Sequence, residues 1–452
     1  MTENSRYFWG YTFVALTSVA AIFVLLRLGE AFFPVIAIST AARATHGAAA
    51  AALPQLLAAL LTVIVVTRAC GMLIQKIGQP AVMGEVIGGI LLGPSFLSSL
   101  APTAMDALVP SVALPALGMI AQLGVLLFMF VIGLELDLGQ VRQSGRAALA
   151  ISHASILLPL WLGIGAGFLL FEAYAPLGVS FTGFALFIGV AMSVTAFPIL
   201  ARILTDMGLQ KTPLGMLALT CAAVDDVTAW CLLALVVGVL QASYGAVAVT
   251  LALTFGFVML MLFVARPLFV KILPYIESSQ GLVSEAALAI VLICLLIAAL
   301  ATEVIGVHAL FGAFLLGAII PHSSRVAKDL ENRLADLVRV FFLPAFFAYT
   351  GLRTQIGLLN SWQDLTVLGL IILLATAGKI GGAYVAAQFS GLPKRESLAV
   401  GFLMNARGLV ALIVLNVGLD LGVMDARLFT IMVLMAVVTT MTTGPGLKKL
   451  GY

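Results

Sequence analysis

Two adjacent aspartates, Asp225 and Asp226, lie near the middle of an otherwise uncharged apolar stretch that runs from Leu214 to Leu240. A stretch of that length can cross a bilayer as one helix. A single aspartate at the centre of such a helix opposes insertion by roughly 3 kcal/mol, so an adjacent pair needs a role that outweighs this cost. We therefore interpret the rest of the chain as a scaffold around the two carboxylates.

The composition supports a protein that crosses the membrane many times. Of the 452 residues, 62% are hydrophobic and only 10% are charged, whereas soluble proteins are about a quarter charged. Phosphate-binding loops, dinucleotide fingerprints and basic nucleic-acid patches do not occur in the sequence. We expect no enzyme activity, no cofactor, no nucleic-acid partner and no metal site beyond a transported cation.

Apolar stretches of about 20 residues, the length of one membrane-spanning helix, recur along the whole chain. They predict about fourteen spans. Their approximate limits are 8–28, 54–75, 80–99, 112–134, 147–171, 179–204, 213–240, 246–265, 284–301, 303–320, 338–356, 364–389, 396–419 and 427–446.

The charged residues of the loops alternate in sign from one side of the predicted spans to the other. The cationic set is Lys76, Arg142, Arg146, Lys211, Arg266, Lys271, Arg325, Lys328, Arg333, Arg339, Lys394, Arg395, Lys448 and Lys449. By the positive-inside rule this set is cytoplasmic, which places both chain termini inside. The short loops are typical of a bacterial inner (plasma) membrane protein.

The spans divide into two similar halves. After an extra N-terminal helix and external loop (1–53), a first repeat covers 54–240, a linker helix covers 241–283 and a second repeat covers 284–452. Six spans on either side of one linker give the halves opposite orientations, which is the inverted-repeat plan of secondary transporters.

The fifth span of each half contains residues that interrupt a helix. These segments are SVTAFPILARIL (193–204), with Pro198, and GFLMNARGLVAL (401–412), with Asn405 and Gly408. Proline removes a backbone hydrogen bond, and glycine and asparagine are poor helix formers. Interrupted helices at matching places in two repeats indicate a transporter's binding site near the membrane midplane.

Two cations accompany the aspartates within the predicted spans. Lys379 lies near the middle of its span, and Arg407 lies in the second interrupted segment. Because adjacent helical residues point about 100° apart, one aspartate can face a cavity while the other turns sideways, toward Lys379. The alternative is a buried charge pair that only holds the two halves together.

A buried carboxylate that can hold either a proton or a metal cation is sufficient for exchange at one site. The hydroxyls of Ser193 and Thr195, and Asn405, are further oxygen ligands for such a cation, although Ser and Thr also satisfy interrupted backbone. Arg407 can neutralise the C-terminal ends of the half-helices, either for transport or for stability alone.

Five other polar residues are weaker candidates. Glu85 and Glu135, near cytoplasmic helix ends, could line an access funnel or form local pairs. Glu303 and His308 do not form a metal site by themselves, and His308 is either a pH sensor or a packing residue. Arg202 is expected to extend toward the membrane surface.

Seven motifs occur in series between residues 54 and 446: GEVIGGILLGPSFL, VIGLELDL, SVTAFPILARIL, AAVDDVTAW, GVHALFGAFLLGAIIP, FFLPAFFAYTGLRTQI and NARGLVALIVLNVGL. Together they resemble the monovalent cation:proton antiporter family 2. The resemblance implies an all-α polytopic membrane protein with inverted six-helix repeats and two crossed broken helices, the sodium/proton antiporter fold.

The same resemblance implies how the protein works. A six-helix core domain moves like an elevator against a fixed dimerisation domain in a homodimer. Asp226 corresponds to the family's main ion-binding carboxylate, Asp225 to its neighbour and Lys379 to the family's lysine. This pattern resembles the electrogenic members, which move two protons per cation, here Na⁺ or K⁺.

The sequence differs from the family in two features, and one alternative function remains open. The potassium-efflux branch has a large cytoplasmic nucleotide-binding domain, whereas this chain ends soon after Lys449. The extra N-terminal helix, followed by a loop with Arg43 and His46, lies outside the family core. Among other transporters, a proton-coupled antiporter of an organic ion or drug remains the alternative, and a large aromatic-lined cavity around Asp226 would favour it.

Overall fold

A computed structural model describes residues 53–135, 145–241, 244–276, 284–322 and 324–452. Within these ranges every assigned element is helical. Nine helices there are long and apolar enough to cross a membrane, and four further apolar helices are shorter. These helices correspond to every predicted span from residue 54 onward, which confirms the all-α polytopic fold. The predicted first span, 8–28, lies outside the described residues.

Several helix boundaries differ from the predicted ones. The span predicted at 80–99 is a shorter helix, Ala81–Leu92, followed by two short helices. The span predicted at 303–320 begins only at Ala309, because Gly306 ends the preceding helix with a φ of 92°. A positive φ is easily adopted by glycine and stops the helix there.

The chain forms two compact units, and each contains parts of both predicted repeats. The first, here called the site unit, comprises the described parts of Ser144–Val236 together with Ile356–Tyr452. Its helices are α4 (Gly145–Tyr174), α5 (Phe181–Ser193), α6 (Phe197–Asp206), α7 (Pro213–Gln241), α14 (Trp362–Phe389), α15 (Lys394–Met404), α16 (Leu409–Asp420) and α17 (Ala426–Lys449). The last residues of α7, after Val236, belong to the second unit.

The second unit comprises the described parts of Thr45–Gln143 and Val237–Gln355. Two of its spans contain a π-helical turn, at Met261–Ala265 and Val338–Phe342. Its longer helices are α1 (Leu53–Lys76), α2 (Ala81–Leu92), α3 (Leu114–Glu135), α8 (Tyr244–Leu260), α9 (Arg266–Ile276), α10 (Glu285–Ile305), α11 (Ala309–Ile319), α12 (Arg325–Leu337) and α13 (Leu343–Leu352).

Small residues bring α14 close to α4 in the site unit. A Cβ atom on Gly378 would lie 2.9 Å from the Cα atom of Pro159, and one on Gly382 would overlap the carbonyl oxygen of Ala154. Gly378 and Gly382 are one helical turn apart and flank Lys379 on α14. Close packing at small residues is how membrane helices commonly associate. Here it brings the lysine toward α4 and the helices beside it.

The two interrupted spans are broken at the predicted places, and the breaks meet. Helix α5 ends at Ser193 and α6 begins at Phe197, while α15 ends at Met404 and α16 begins at Leu409. The backbone N–H of Ala196 in the first break donates to the carbonyl oxygen of Ala406 in the second, at 3.0 Å. Pro198 lies in the first turn of α6, where a proline is tolerated, so it follows the break instead of forming it.

Candidate ion-binding site

Asp225, on α7, is fully buried and has a complete set of hydrogen-bond donors. Its Oδ1 atom accepts from the Ser152 hydroxyl. Its Oδ2 atom accepts from the hydroxyls of Ser155 at 3.1 Å and Thr195 at 2.7 Å, and from Lys379 Nζ at 3.0 Å. Such donors are needed because a buried charge without partners is very unfavourable. Asp225 is therefore a satisfied carboxylate held by α4, the first break and α14.

Lys379 forms the ion pair with Asp225, and neither side chain is exposed. Its ammonium also donates to Thr195 Oγ1 at 2.5 Å. The Thr195 hydroxyl lies 3.1 Å from the carbonyl oxygen of Met404 at the end of α15. Thr195 thus joins both breaks to the buried ion pair, so a movement of either half-helix acts directly on that pair.

Asp226, the next residue of α7, differs from Asp225 in its hydrogen bonding. It is 1% exposed, and both of its carboxylate oxygens lack a hydrogen-bond partner among the described residues. The carboxylate lies near the backbone N–H of Phe197, the first residue of α6. A helix N-terminus carries partial positive charge and stabilises an anion. No side chain among the described residues pairs with either oxygen of this carboxylate.

Arg407, in the second break, is also fully buried. Its guanidinium donates to the carbonyl oxygens of Ala191, near the end of α5, at 3.5 Å and of Ala375, on α14, at 3.1 Å. The Arg407 backbone N–H donates to the Thr440 hydroxyl at 2.9 Å. The guanidinium therefore lies at the C-terminal end of a half-helix, where the partial charge is negative.

The remaining predicted ligands occupy different positions. The Ser193 hydroxyl donates to the carbonyl of Val190 in its own helix, at 2.9 Å. Asn405 is buried, its Nδ2 atom donates to the carbonyl of Thr439 at 3.4 Å, and its Oδ1 atom has no partner among the described residues. Of these predicted oxygen ligands, Thr195 makes direct contact with the charged pair.

Ser152 and Ser155 bond to Asp225 but were missed by the sequence analysis. They are three residues apart on α4, so they lie on one face of that helix. Their segment, ISHASILL, lies in an otherwise apolar span, and this pair of hydroxyls is the signal that could have identified them.

The weaker candidates form local contacts. In the second unit, Glu85 lies 3.7 Å from Arg68, and Glu135 lies 2.9 Å from Arg339. The Glu303 carboxylate accepts from the backbone N–H of Ala309 at 2.8 Å.

His308 caps the N-terminus of α11, where its Nδ1 atom accepts from the Leu310 N–H at 3.5 Å. Arg202 is exposed on α6.

The arrangement combines two adjacent buried carboxylates with different tasks. Asp225 is neutralised by Lys379 and by three hydroxyl groups. Asp226 has no such side-chain partners among the described residues, and a buried carboxylate of this kind requires a positive charge or a proton to be stable. Hard cations prefer carboxylate, carbonyl and hydroxyl oxygens, and all three are present beside the breaks.

Sequence comparison gives one family and several relatives. The family described as "Sodium/hydrogen exchanger, transmembrane" matches residues 60–450. The Na⁺/H⁺ antiporter NhaS4 of Synechocystis sp. is 42% identical over 398 residues, which are 87% of this chain and 97% of that protein. Cation/H⁺ antiporter 17 of Arabidopsis thaliana is 42% identical over 401 residues. That alignment covers 87% of this chain, which spans 48% of the Arabidopsis protein.

A solved structure has a similar fold. The sodium proton antiporter MjNhaP1 of Methanocaldococcus jannaschii, determined at pH 8, aligns with a TM-score of 0.63 at 15% sequence identity. The alignment covers 88% of this chain and 100% of that one. At this identity the likeness shows the fold alone.

Proposed function

The chain belongs to the sodium/hydrogen exchanger family, which consists of membrane transporters and not enzymes, and we propose that it exchanges a monovalent cation, Na⁺ or K⁺, for protons. The observation that carries the proposal is the buried carboxylate of Asp226, which receives no hydrogen bond from any side chain of the described residues, although its neighbour Asp225 is bonded by several. The names of the relatives, a Na⁺/H⁺ antiporter and a cation/H⁺ antiporter, support the same reaction class.

Asp226 holds a proton in one half of the cycle and the cation in the other. Binding of the proton and binding of the cation compete, because each neutralises the single negative charge of the Asp226 carboxylate. Thr195, the carbonyls of the two breaks and Asn405 Oδ1 are the further oxygens that can contact the cation. A small site lined by such oxygens suits an alkali cation better than an organic ion, which needs a larger apolar cavity.

Electrogenic exchange follows if Lys379 also releases its proton when the cation binds. With protons on Asp226 and Lys379, the set of Asp225, Asp226 and Lys379 is neutral. With a cation on Asp226 and no proton on Lys379, these three residues and the bound cation together carry one net negative charge. Exchange of two protons for one cation then moves one net positive charge across the membrane in each cycle.

The resemblance to the family also suggests the setting of this reaction. The chain is a multi-pass integral membrane protein. In our proposal it functions as a homodimer in a bacterial inner membrane, with both termini in the cytoplasm. Alternating access is provided by movement of the site unit, which contains both breaks, Asp225, Asp226 and Lys379.

The first test is the substitution Asp226→Asn in purified protein reconstituted into liposomes with an acidic interior. Internal pH is followed after Na⁺, K⁺ or Li⁺ is added outside. We expect wild-type protein to release protons with at least one cation and the variant to release none, because the amide has no negative charge and no proton that it can exchange for a cation.

Asp364→Asn is the matched control. Asp364 is also a buried aspartate of the site unit, but its carboxylate is satisfied by Tyr174 at 2.8 Å and Ser361 at 2.6 Å. This variant should retain exchange. Normal exchange by the Asp226→Asn variant would overturn the site assignment. Silence of folded wild-type protein with all three cations would favour the organic-ion alternative.

The role of Lys379 is tested with Lys379→Arg. A guanidinium keeps the positive charge beside Asp225 but does not lose its proton in proteins. We expect exchange by this variant to become electroneutral, measured as proton flux without the potential change that accompanies wild-type exchange. If the variant remains electrogenic, the second proton is carried by another group.

A further inference from the structure

An open cavity of about 440 Å³ lies on the surface of the site unit, beside the first turn of α15. Its lining residues come from the C-terminal part of α14 and from the N-terminal part of α15. They are Ile380, Gly381, Tyr384, Lys394, Arg395 and Leu398. We call this cavity the α14–α15 groove.

The surface of the groove is almost entirely apolar, and two basic residues lie at one end of it. Ile380 lies nine residues before the end of α14, or about 13 Å along the helix axis. Lys394 and Arg395 lie just after the turn that joins α14 to α15, and both are exposed. The apolar end therefore follows the membrane-spanning helix, and the basic end lies where the chain leaves it.

The adjoining surface of α14 is that of a helix facing lipid. Val385 is 49% exposed and Phe389 is 81% exposed, although both are large and apolar. Apolar side chains exposed on a membrane-spanning helix contact acyl chains, so the basic end of the groove lies at the level of lipid head groups. A ligand in the groove would therefore contact both the apolar surface of the membrane-spanning helix and the basic residues at its end.

The two cations at this end form no ion pair among the described residues. Lys394 has no ion-pair partner in the part of the chain that the structure describes. Arg395 donates to the carbonyl oxygens of Leu450 at 2.6 Å and Gly451 at 3.1 Å, and its guanidinium lies over the Tyr452 ring. These are contacts with uncharged groups.

Further positive charge and backbone N–H donors lie next to these two cations. Lys448 and Lys449 end α17, close to the carbonyls that Arg395 contacts, while Glu396 is an exposed acid in the first turn of α15. The N-cap of α15 is Pro393, which provides no side-chain hydrogen bond to the first-turn N–H groups. Uncapped N–H groups at a helix N-terminus favour an anion.

We propose that the α14–α15 groove binds an anionic phospholipid, with its phosphate at Lys394, Arg395 and the first turn of α15 and its acyl chain along Ile380 and Leu398. Tyr384 provides a phenol to the same head group. A free phosphate would use the cations and the helix N-terminus but would leave the apolar end of the groove unused. The combination of both ends therefore favours a lipid.

The position of the groove connects the lipid with the ion-binding site. Ile380 and Gly381 directly follow Lys379 on α14, and α15 ends at the second break. A lipid that fills the groove stabilises these two helices against each other. We therefore expect anionic lipid to stabilise the folded site unit and to change the rate of exchange.

The binding test does not depend on transport. Thermal unfolding of purified protein in a neutral detergent is followed with added phosphatidylglycerol, phosphatidylcholine or inorganic phosphate. We expect phosphatidylglycerol alone to raise the unfolding temperature of wild-type protein. In the variant Lys394→Gln/Arg395→Gln its apparent affinity should fall roughly thirtyfold, since each surface cation contributes about a factor of five.

A matched control is Lys211→Gln/Arg325→Gln, which removes two exposed cations elsewhere and should respond to phosphatidylglycerol like wild-type protein. An equal response of the groove variant and wild-type protein would overturn the proposed site. Equal stabilisation by inorganic phosphate would show an anion site without lipid specificity. Exchange in vesicles with and without phosphatidylglycerol then tests the effect on rate, and in phosphatidylcholine alone the groove variant should match wild-type protein.

Discussion

Acids and bases are paired in both compact units, but the pairs differ in their contact with water. The Asp225–Lys379 pair of the site unit has an N···O distance of 3.0 Å and no exposed side-chain surface. The Glu135–Arg339 pair of the second unit has almost the same distance, 2.9 Å, but its side chains are 23% and 54% exposed. We call the first the dry pair and the second the wet pair.

The comparison shows that distance alone does not measure the importance of an ion pair. In the wet pair, water can replace either partner, and exposed pairs contribute about 0.2–1 kcal/mol. In the dry pair, each charge depends on the other and on the hydroxyls of Ser152, Ser155 and Thr195. Such a pair makes a weak contribution as a whole but is very sensitive to the loss of one member.

The largest expected effect is therefore that of breaking the dry pair. Asp225→Ala leaves the Lys379 ammonium buried without its carboxylate, and we expect it to lower the free energy of unfolding by about 3–5 kcal/mol. Denaturant unfolding of the purified protein in detergent measures this change. The double variant Asp225→Ala/Lys379→Met removes both charges and should recover a large part of the loss. If the double variant is as unstable as the sum of its two single variants, the two charges are not coupled.

The next effect concerns the hydroxyl that joins the dry pair to the two breaks. Thr195→Val keeps the shape of the side chain but removes the donor to Asp225 and the acceptor for Lys379. We expect a loss of about 1–3 kcal/mol in unfolding free energy, together with weaker apparent cation affinity in the liposome assay. Thr195→Ser retains the hydroxyl and is the control. Equal behaviour of the valine and serine variants would contradict a role for the hydroxyl.

The sequence predicted the parts of this site that are unusual for a membrane span. Asp225, Asp226 and Lys379 stand out because charge is rare at mid-membrane, and both breaks stand out because proline, asparagine and glycine disturb helices. The resemblance assigned the main ion-binding role to Asp226, with Asp225 and Lys379 beside it in the ion- and proton-binding set, and that assignment stays a prediction. The partners of each carboxylate could not be predicted, because they depend on which face of α7 meets α4 and α14.

Ser152 and Ser155 illustrate what remained hidden. Serine is common in membrane helices, where its hydroxyl can bond to the preceding turn of its own helix, so its presence predicts no particular partner. The close packing of α4 against α14, at Gly378 and Gly382, determines the distance between the helices. The hydroxyls of α4 reach Asp225 on α7 only in the packed site unit. The helix ends at Leu92 and Gly306 likewise depend on local turns that an apolar window does not reveal.

We expect the weakest response to mutation at the wet pair, whose side chains are partly exposed. Glu135→Gln keeps the size of the side chain and removes its charge, while the Arg339 side chain remains about half exposed (54%). We expect a change of less than about 1 kcal/mol in unfolding free energy, and this change should shrink further at high salt because exposed charges are screened. The same salt series applied to Asp225→Ala should leave its large effect nearly unchanged, since the dry pair is shielded from ions. A strong salt dependence at Asp225, or a loss of several kcal/mol at Glu135, would show that burial does not separate the two pairs.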